Sequence, residues 1–107
     1  MNIEDKLVMF RGKNIRRVLY ENEWWFSVVD VCDALTDSSD PGAYWRKLKQ
    51  RLKEEGSEVV TFCHGLKLLA PDGKLRETDC ANTEGVFRTG VRIYGDKGKT
   101  NDRWISS

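Results

Sequence analysis

What this 107-residue chain lacks narrows its function. No apolar run approaches the roughly 18 to 20 residues that a membrane-spanning helix needs. The opening stretch MNIEDKLVMFRGK has charge on both sides of a short apolar segment, without the ordered charged, apolar and small-residue regions of a secretory signal. A cytoplasmic protein with no membrane partner is expected. Cys32, Cys63 and Cys80 are odd in number, widely spaced and include no Cys-x-x-Cys pair, which argues against a disulfide framework. With His64 they reach the ligand count of a closed zinc site, but Cys63 and His64 are adjacent and Cys32 falls within an expected helix. Structural zinc ligands come in pairs a few residues apart, so no metal and no cofactor is expected. His64 is the only histidine and no nucleophile–base pair accompanies it, so the chain does not read as an enzyme. The segment GDKGKT, from Gly95 to Thr100, has the composition of a phosphate-binding loop but lacks the G-x-x-x-x-G-K-[ST] interval that such a loop needs to wrap a phosphate.

What is present is a hydrophobic share of 39% beside a charged share of 33%, enough for one domain with a modest core. Four tryptophans point to a well-formed core or an aromatic binding surface. The richest stretch, WWFSVVDVCDALTDSSDPGAYWRKLKQRL, spans residues 24–52 and predicts two short helices around a polar turn. Ser27 with Asp30 three residues on is a capping-box variant, its carboxylate favoured by the helix dipole. Val28, Val31, Ala34 and Leu35 follow at helical spacing. Asp40 before Pro41 marks a second start, an N-cap followed by proline at the first helical position. On a wheel of residues 41–55, Trp45, Leu48 and Leu52 share one face, and Arg46, Lys49 and Lys53 are read as lying opposite. The net charge of +1 conceals a segregation: Asp30, Asp33, Asp37 and Asp40 precede the helix, and Arg46, Lys47, Lys49, Arg51 and Lys53 crowd it. A basic second helix is a physically sound reader of nucleic acid, although many charged helix faces are simply solvated.

Around this unit the chain reads as β-structure. Residues 15–20 and 23–26 form a hairpin about Glu21-Asn22 that runs into Ser27. Trp24 and Phe26 alternate with Trp25, so the rings point to both sides of the strand. Residues 58–62 (EVVTF) suggest a strand, and residues 66–70 and 74–78 flank the turn Pro71-Asp72-Gly73. The chain is expected to turn at 79–82 and to begin a helix at 83–88, a reading that Gly85 weakens. The fold class is therefore α+β: a small single domain with two β-hairpins packed on a central helix-turn-helix-like pair. Phe26, Val28, Val31, Leu35, Trp45, Leu48 and Leu52 are expected in its core. From Thr89 the character changes, and a hairpin pairing 91–94 with 103–105, or an oligomer contact, is expected.

The run IRRVLYENEWWFSVVDVCDALTDSSDPGAYWRKLKQRLKEEG, followed by LKLLAPDGKLRETDCANTEGVFR, resembles the Bro-N domain, the N-terminal domain of BRO-family viral proteins and of phage and prophage antirepressors. The resemblance rests on Trp-Phe before a Ser-Val-Val-Asp-Val helix and on the Pro-x-x-Tyr-Trp-x-x-Leu-Lys helix. It also rests on the hairpin ending Arg76-Glu77-Thr78-Asp79 and on the short helix at 84–88. It covers residues 7–88 and implies a small α+β DNA-binding domain, often fused to a separate regulatory domain, in an antirepressor-like transcriptional regulator. Family members continue after the Phe-Arg pair with further helices, which residues from Thr89 onward do not match. The chain is thus expected to divide into a Bro-N-like DNA-binding domain at 1–88 and an atypical tail at 89–107, without an effector domain, so that binding alone is expected of it.

The leading expectation is binding to double-stranded DNA. Arg46, Lys47, Lys49, Arg51 and Lys53, with Arg16 and Arg17 (and Arg11 and Lys13) from the hairpin region, would contact phosphates, which position a protein without specifying sequence. Arg46 and Gln50 are the candidates for base edges. The alternative is a protein-interaction module that binds a repressor and relieves repression without touching DNA. A homodimer is a further expected partner arrangement, wherever the tail leaves core uncovered.

Overall fold

In a computed structural model, residues 7–100 are described; for 7–10 and 96–100 the description is of the backbone alone. Strands β1 (Leu7–Phe10), β2 (Lys13–Tyr20) and β3 (Glu23–Ser27) lead into helices α1 (Val28–Thr36) and α2 (Pro41–Glu54). A 3-10 helix (Glu58–Phe62), strands β4 (Cys63–Leu69) and β5 (Leu75–Ala81), and helix α3 (Thr83–Thr100) follow. This is the expected small α+β domain, with one hairpin more than the sequence suggested. The strands join antiparallel in the order β1-β2-β3-β5-β4. β2 divides its pairing: Lys13 to Arg16 face β1, and Arg17 to Tyr20 face β3. The β2–β3 turn uses left-handed Glu21 and Asn22, the backbone that a two-residue hairpin requires.

Both helix starts are as expected. Ser27 Oγ accepts from Asp30 N at 3.3 Å, and Asp40 Oδ1 accepts from Ala43 N at 3.1 Å, with Pro41 in the first turn of α2. α2 ends in a Schellman arrangement: Gly56 N donates to Lys53 O and Ser57 N to Leu52 O, with Gly56 left-handed. Glu55, badly placed for the helix dipole, is held instead by Arg92 of α3 in a bidentate pair at 2.6 Å.

The period of two along the strands sorts the core into two parts. On one face of the sheet, Ile15, Phe26, Cys63 and Ala81 meet Val28, Val31 and Leu35 of α1, Trp45, Leu48 and Leu52 of α2, and Ile93 of α3. Of the residues expected to be buried, only Phe26 is half-buried, packed against this cluster. On the other face Trp25, Leu68 and Cys80 form a second cluster with Val18 and Leu66. Trp25 is thus the buried ring of the pair, and Trp24 lies half-exposed under the Arg17 guanidinium, 4.0 Å away.

Three expectations are corrected, the first being the turn at 79–82, where residues 79–81 instead continue β5 and pair with β4. Residues 58–62 form a 3-10 helix rather than a strand: Ser57 Oγ caps it by accepting from Val59 N, and Val59 is buried against α2 and its neighbours. Residues 83–100 form one helix, so 91–94 are not a hairpin strand, and the boundary at residue 88/89 falls inside α3. The supposed partner, residues 103–105, lies outside the described residues. Packing overrides the weak helix propensity of this glycine-rich segment. A Cβ on Gly85 would meet Ala81 Cβ and Phe62 Cβ, each at 2.9 Å, so glycine lets α3 approach the sheet and the 3-10 helix. Ile93 and Thr89 are buried on the same side.

Candidate nucleic-acid interface

α2 is amphipathic in the simplest sense. Trp45, Leu48 and Leu52 anchor it in the core, and Arg46, Lys47, Gln50, Arg51 and Lys53 are exposed on the remaining surface. One of the anticipated cations behaves differently. Lys49 is one helical turn from Trp45 and therefore near its face, not opposite it as the wheel suggested. Both side chains meet one oxygen: Lys49 Nζ and Trp45 Nε1 each donate to Asp79 Oδ2 of β5 at 2.8 Å. Burial works against charge on Asp79, but the bonds from Lys49 and Trp45 and the positive charges of Lys49 and Lys53 outweigh it, holding the carboxyl below its ordinary value. Asp79 escaped the sequence reading because it lies 30 residues from Lys49, in a segment read as a turn, and no local pattern marks the pair.

The two arginines of β2 also part company. Arg16 is drawn inward: Nε donates to Asp30 Oδ2 at 2.8 Å, Nη2 to Asp30 Oδ1 at 3.1 Å and Nη1 to the Leu69 carbonyl at 3.1 Å. Its backbone N–H donates to the same carboxylate at 2.9 Å. The Asp30 bond keeps the guanidinium charged against the cost of burial, raising its pKa above the ordinary value. Arg16 thereby ties β2 to the start of α1 and to the end of β4, a strand that is not its neighbour in the sheet. Of the other hairpin cations, Arg17 stacks on Trp24, and Lys13 pairs with Asp33 of α1 at 3.5 Å. Arg11 is exposed, with Nη1 at 3.4 Å from the Tyr94 hydroxyl. The structure therefore gathers Arg46, Lys47, Gln50, Arg51 and Lys53 on one helix, sets Lys49 at its inner edge, and separates Arg16 from them by role.

The thiols belong to the packing. Burial pushes Cys32 up to about 12, and Cys63 and Cys80 up to about 11 each. His64 packs edge-on against Trp25, ring centroids 4.8 Å apart. Among the described residues, no group of three or more His, Cys, Asp or Glu side chains is arranged to hold a metal ion. Among them, too, no helix is long and apolar enough to cross a membrane.

These features define a small α+β domain that presents one cationic helix from an apolar anchor. The chain belongs to the BRO family: the family's N-terminal domain matches residues 14–107. It is thus a phage antirepressor-like N-terminal domain, of a regulatory family rather than an enzyme family. The match runs through residues 89–107, so the segment expected to depart from the family is part of it. Searches of curated proteins and of solved structures returned no match.

Proposed function

We propose that this domain binds double-stranded DNA through the exposed face of α2. Arg46, Lys47, Arg51 and Lys53 contact phosphates, and Arg46 and Gln50 are the side chains best set to reach base edges. The observation that carries this reading is the division of α2 itself, with five exposed cationic or amide residues over three buried anchors. Any surface helix is anchored by such an apolar stripe; what favours DNA is the crowding of cations on the exposed side of one rigidly held helix, which suits the phosphates along a groove. Arg16 is left out of the interface because its guanidinium is committed to Asp30 and Leu69. A cytoplasmic location goes with this reading. Fluorescence anisotropy with a labelled duplex over a salt series is the test. Binding that weakens with a log–log slope of about −0.9 per neutralised phosphate supports it, and absence of binding at low salt contradicts it.

A second reading, recognition of a repressor protein, has one observation in its favour. An apolar cleft of about 420 Å³ lies between α1 and α3, lined by Ile15, Phe26, Leu35, Val86, Phe87 and Val91 among others. Phe87 and Val91 are 67% and 57% exposed, more apolar surface than a lone helix face needs to leave open. Binding through this cleft would respond weakly to salt and would be lost on Phe87→Asp, which leaves α2 unaltered.

A further inference from the structure

We propose that Asp79 is a built-in competitor for DNA phosphate, holding Lys49 against the sheet and so withholding one cation from the DNA-facing surface of α2. The inference rests on the DNA-binding reading and adds to it a residue that sets affinity from outside the helix. A carboxylate oxygen and a phosphate oxygen offer an ammonium group the same kind of partner, and here the carboxylate is already in place at 2.8 Å. The Lys49–Asp79 pair is not sealed: the two side chains keep 32% and 30% of their surface exposed, and the lysine stem is flexible enough to re-aim. Asp79 is ionised under ordinary conditions, so the competition operates at neutral pH. The Lys53 charge, one turn further along α2, also bears on Asp79, so the carboxylate damps the field of the helix at two points. The Trp45 bond separates structure from charge. An asparagine carbonyl still accepts from the Trp45 indole N–H, but it no longer holds the ammonium by charge.

The test is the salt dependence of duplex binding for the wild type, Asp79→Asn, Lys49→Gln and the double variant, each with its unfolding midpoint. Asp79→Asn should bind roughly three- to tenfold tighter at moderate salt, with a slope steeper by about 0.9, the increment of one added phosphate contact. Lys49→Gln should remove that increment from the Asp79→Asn protein and leave the slope of the wild type unchanged. A purely structural Asp79 would shift the unfolding midpoint and not the slope. The proposal is overturned if Asp79→Asn keeps the wild-type slope, or if its increment survives Lys49→Gln. Should Asp79→Asn fail to fold, Lys49→Gln alone decides: a slope reduced by about 0.9 shows that Lys49 already contacts phosphate and overturns the proposal. If the wild type binds through Arg46, Lys47 and Lys53 and only these outcomes fail, the DNA-binding reading stands without Asp79. If neither protein binds DNA at low salt, both fall.

Discussion

The arginine in the middle of β2 and the cations along α2 look alike in the sequence, yet the fold uses them in opposite ways. Arg16 points across the sheet, where Asp30, Ser27 Oγ and the Leu69 carbonyl absorb its donors. Arg46, Lys47 and Lys53 stand on a helix whose apolar stripe is already buried, so their charges face water. The difference lies in what sits opposite each residue in space. An arginine with a fixed fork of donors suits a partly buried carboxylate, and the same charge on an anchored surface helix suits an external polyanion. Lys49 is intermediate, on the helix but held by Asp79.

The largest expected effect comes from removing the anchor of the outward set. Trp45 is 3% exposed, and Trp45→Ala should cost about 3 to 5 kcal/mol in urea unfolding. A cost below about 1 kcal/mol would mean that α2 is not held as described. Next comes the inward cation. Arg16→Ala leaves the Asp30 carboxylate, whose side chain is only 17% exposed, with fewer donors, and should cost about 2 to 3 kcal/mol. The slope of DNA binding against salt should not change in the folded fraction, and a shallower slope would move Arg16 to the outward class.

The intermediate case is read by acid. The folded-state pKa of Asp79 lies below the ordinary 3.8, so its contribution to stability is present above that value and lost as pH falls through the lower, folded one. The urea midpoint of the wild type should therefore drop further than that of Asp79→Asn between pH of about 5 and about 3. Equal drops would show that Asp79 gains nothing from Lys49 and Trp45. The smallest effect concerns the core. Cys32 and Cys80 are fully buried and their thiols are pushed far up by burial, so a thiol reagent at neutral pH should spare both in the native protein and label them on unfolding.

Much of this arrangement was legible locally. Ser27 and Asp40 mark the starts of α1 and α2 through bonds made within a few residues, and Pro71-Asp72-Gly73 marks the β4–β5 turn in the same way. The burial of Trp45, Leu48 and Leu52 followed from helical spacing alone. What escaped depends on distant contacts. The β-branched run EVVTF reads as a strand until Ser57 caps it and α2 packs on Val59. α3 is hidden by its glycines, which read as breakers, although one of them, Gly85, is the point of close approach to Phe62 and Ala81. Strand β1 leaves only a short apolar signature. In the candidate interface the cationic helix was legible, but the roles of Arg16 and Lys49 were not, because Asp30 and Asp79 lie far from them along the chain.

The central claim is that Arg46, Lys47 and Lys53 of α2 act on DNA, while Arg16 and Lys49 are held by Asp30 and Asp79. The direct test is the salt slope of duplex binding for a protein carrying Arg46→Ala, Lys47→Ala and Lys53→Ala, with Lys49 and Arg16 kept. These residues are exposed, so stability should change by no more than about 0.5 kcal/mol for each substitution. The slope should become shallower by about 0.9 for each lost phosphate contact, and affinity should fall with it. Wild-type affinity and slope in this variant would contradict the account and leave the apolar cleft beside α3 as the better binding surface.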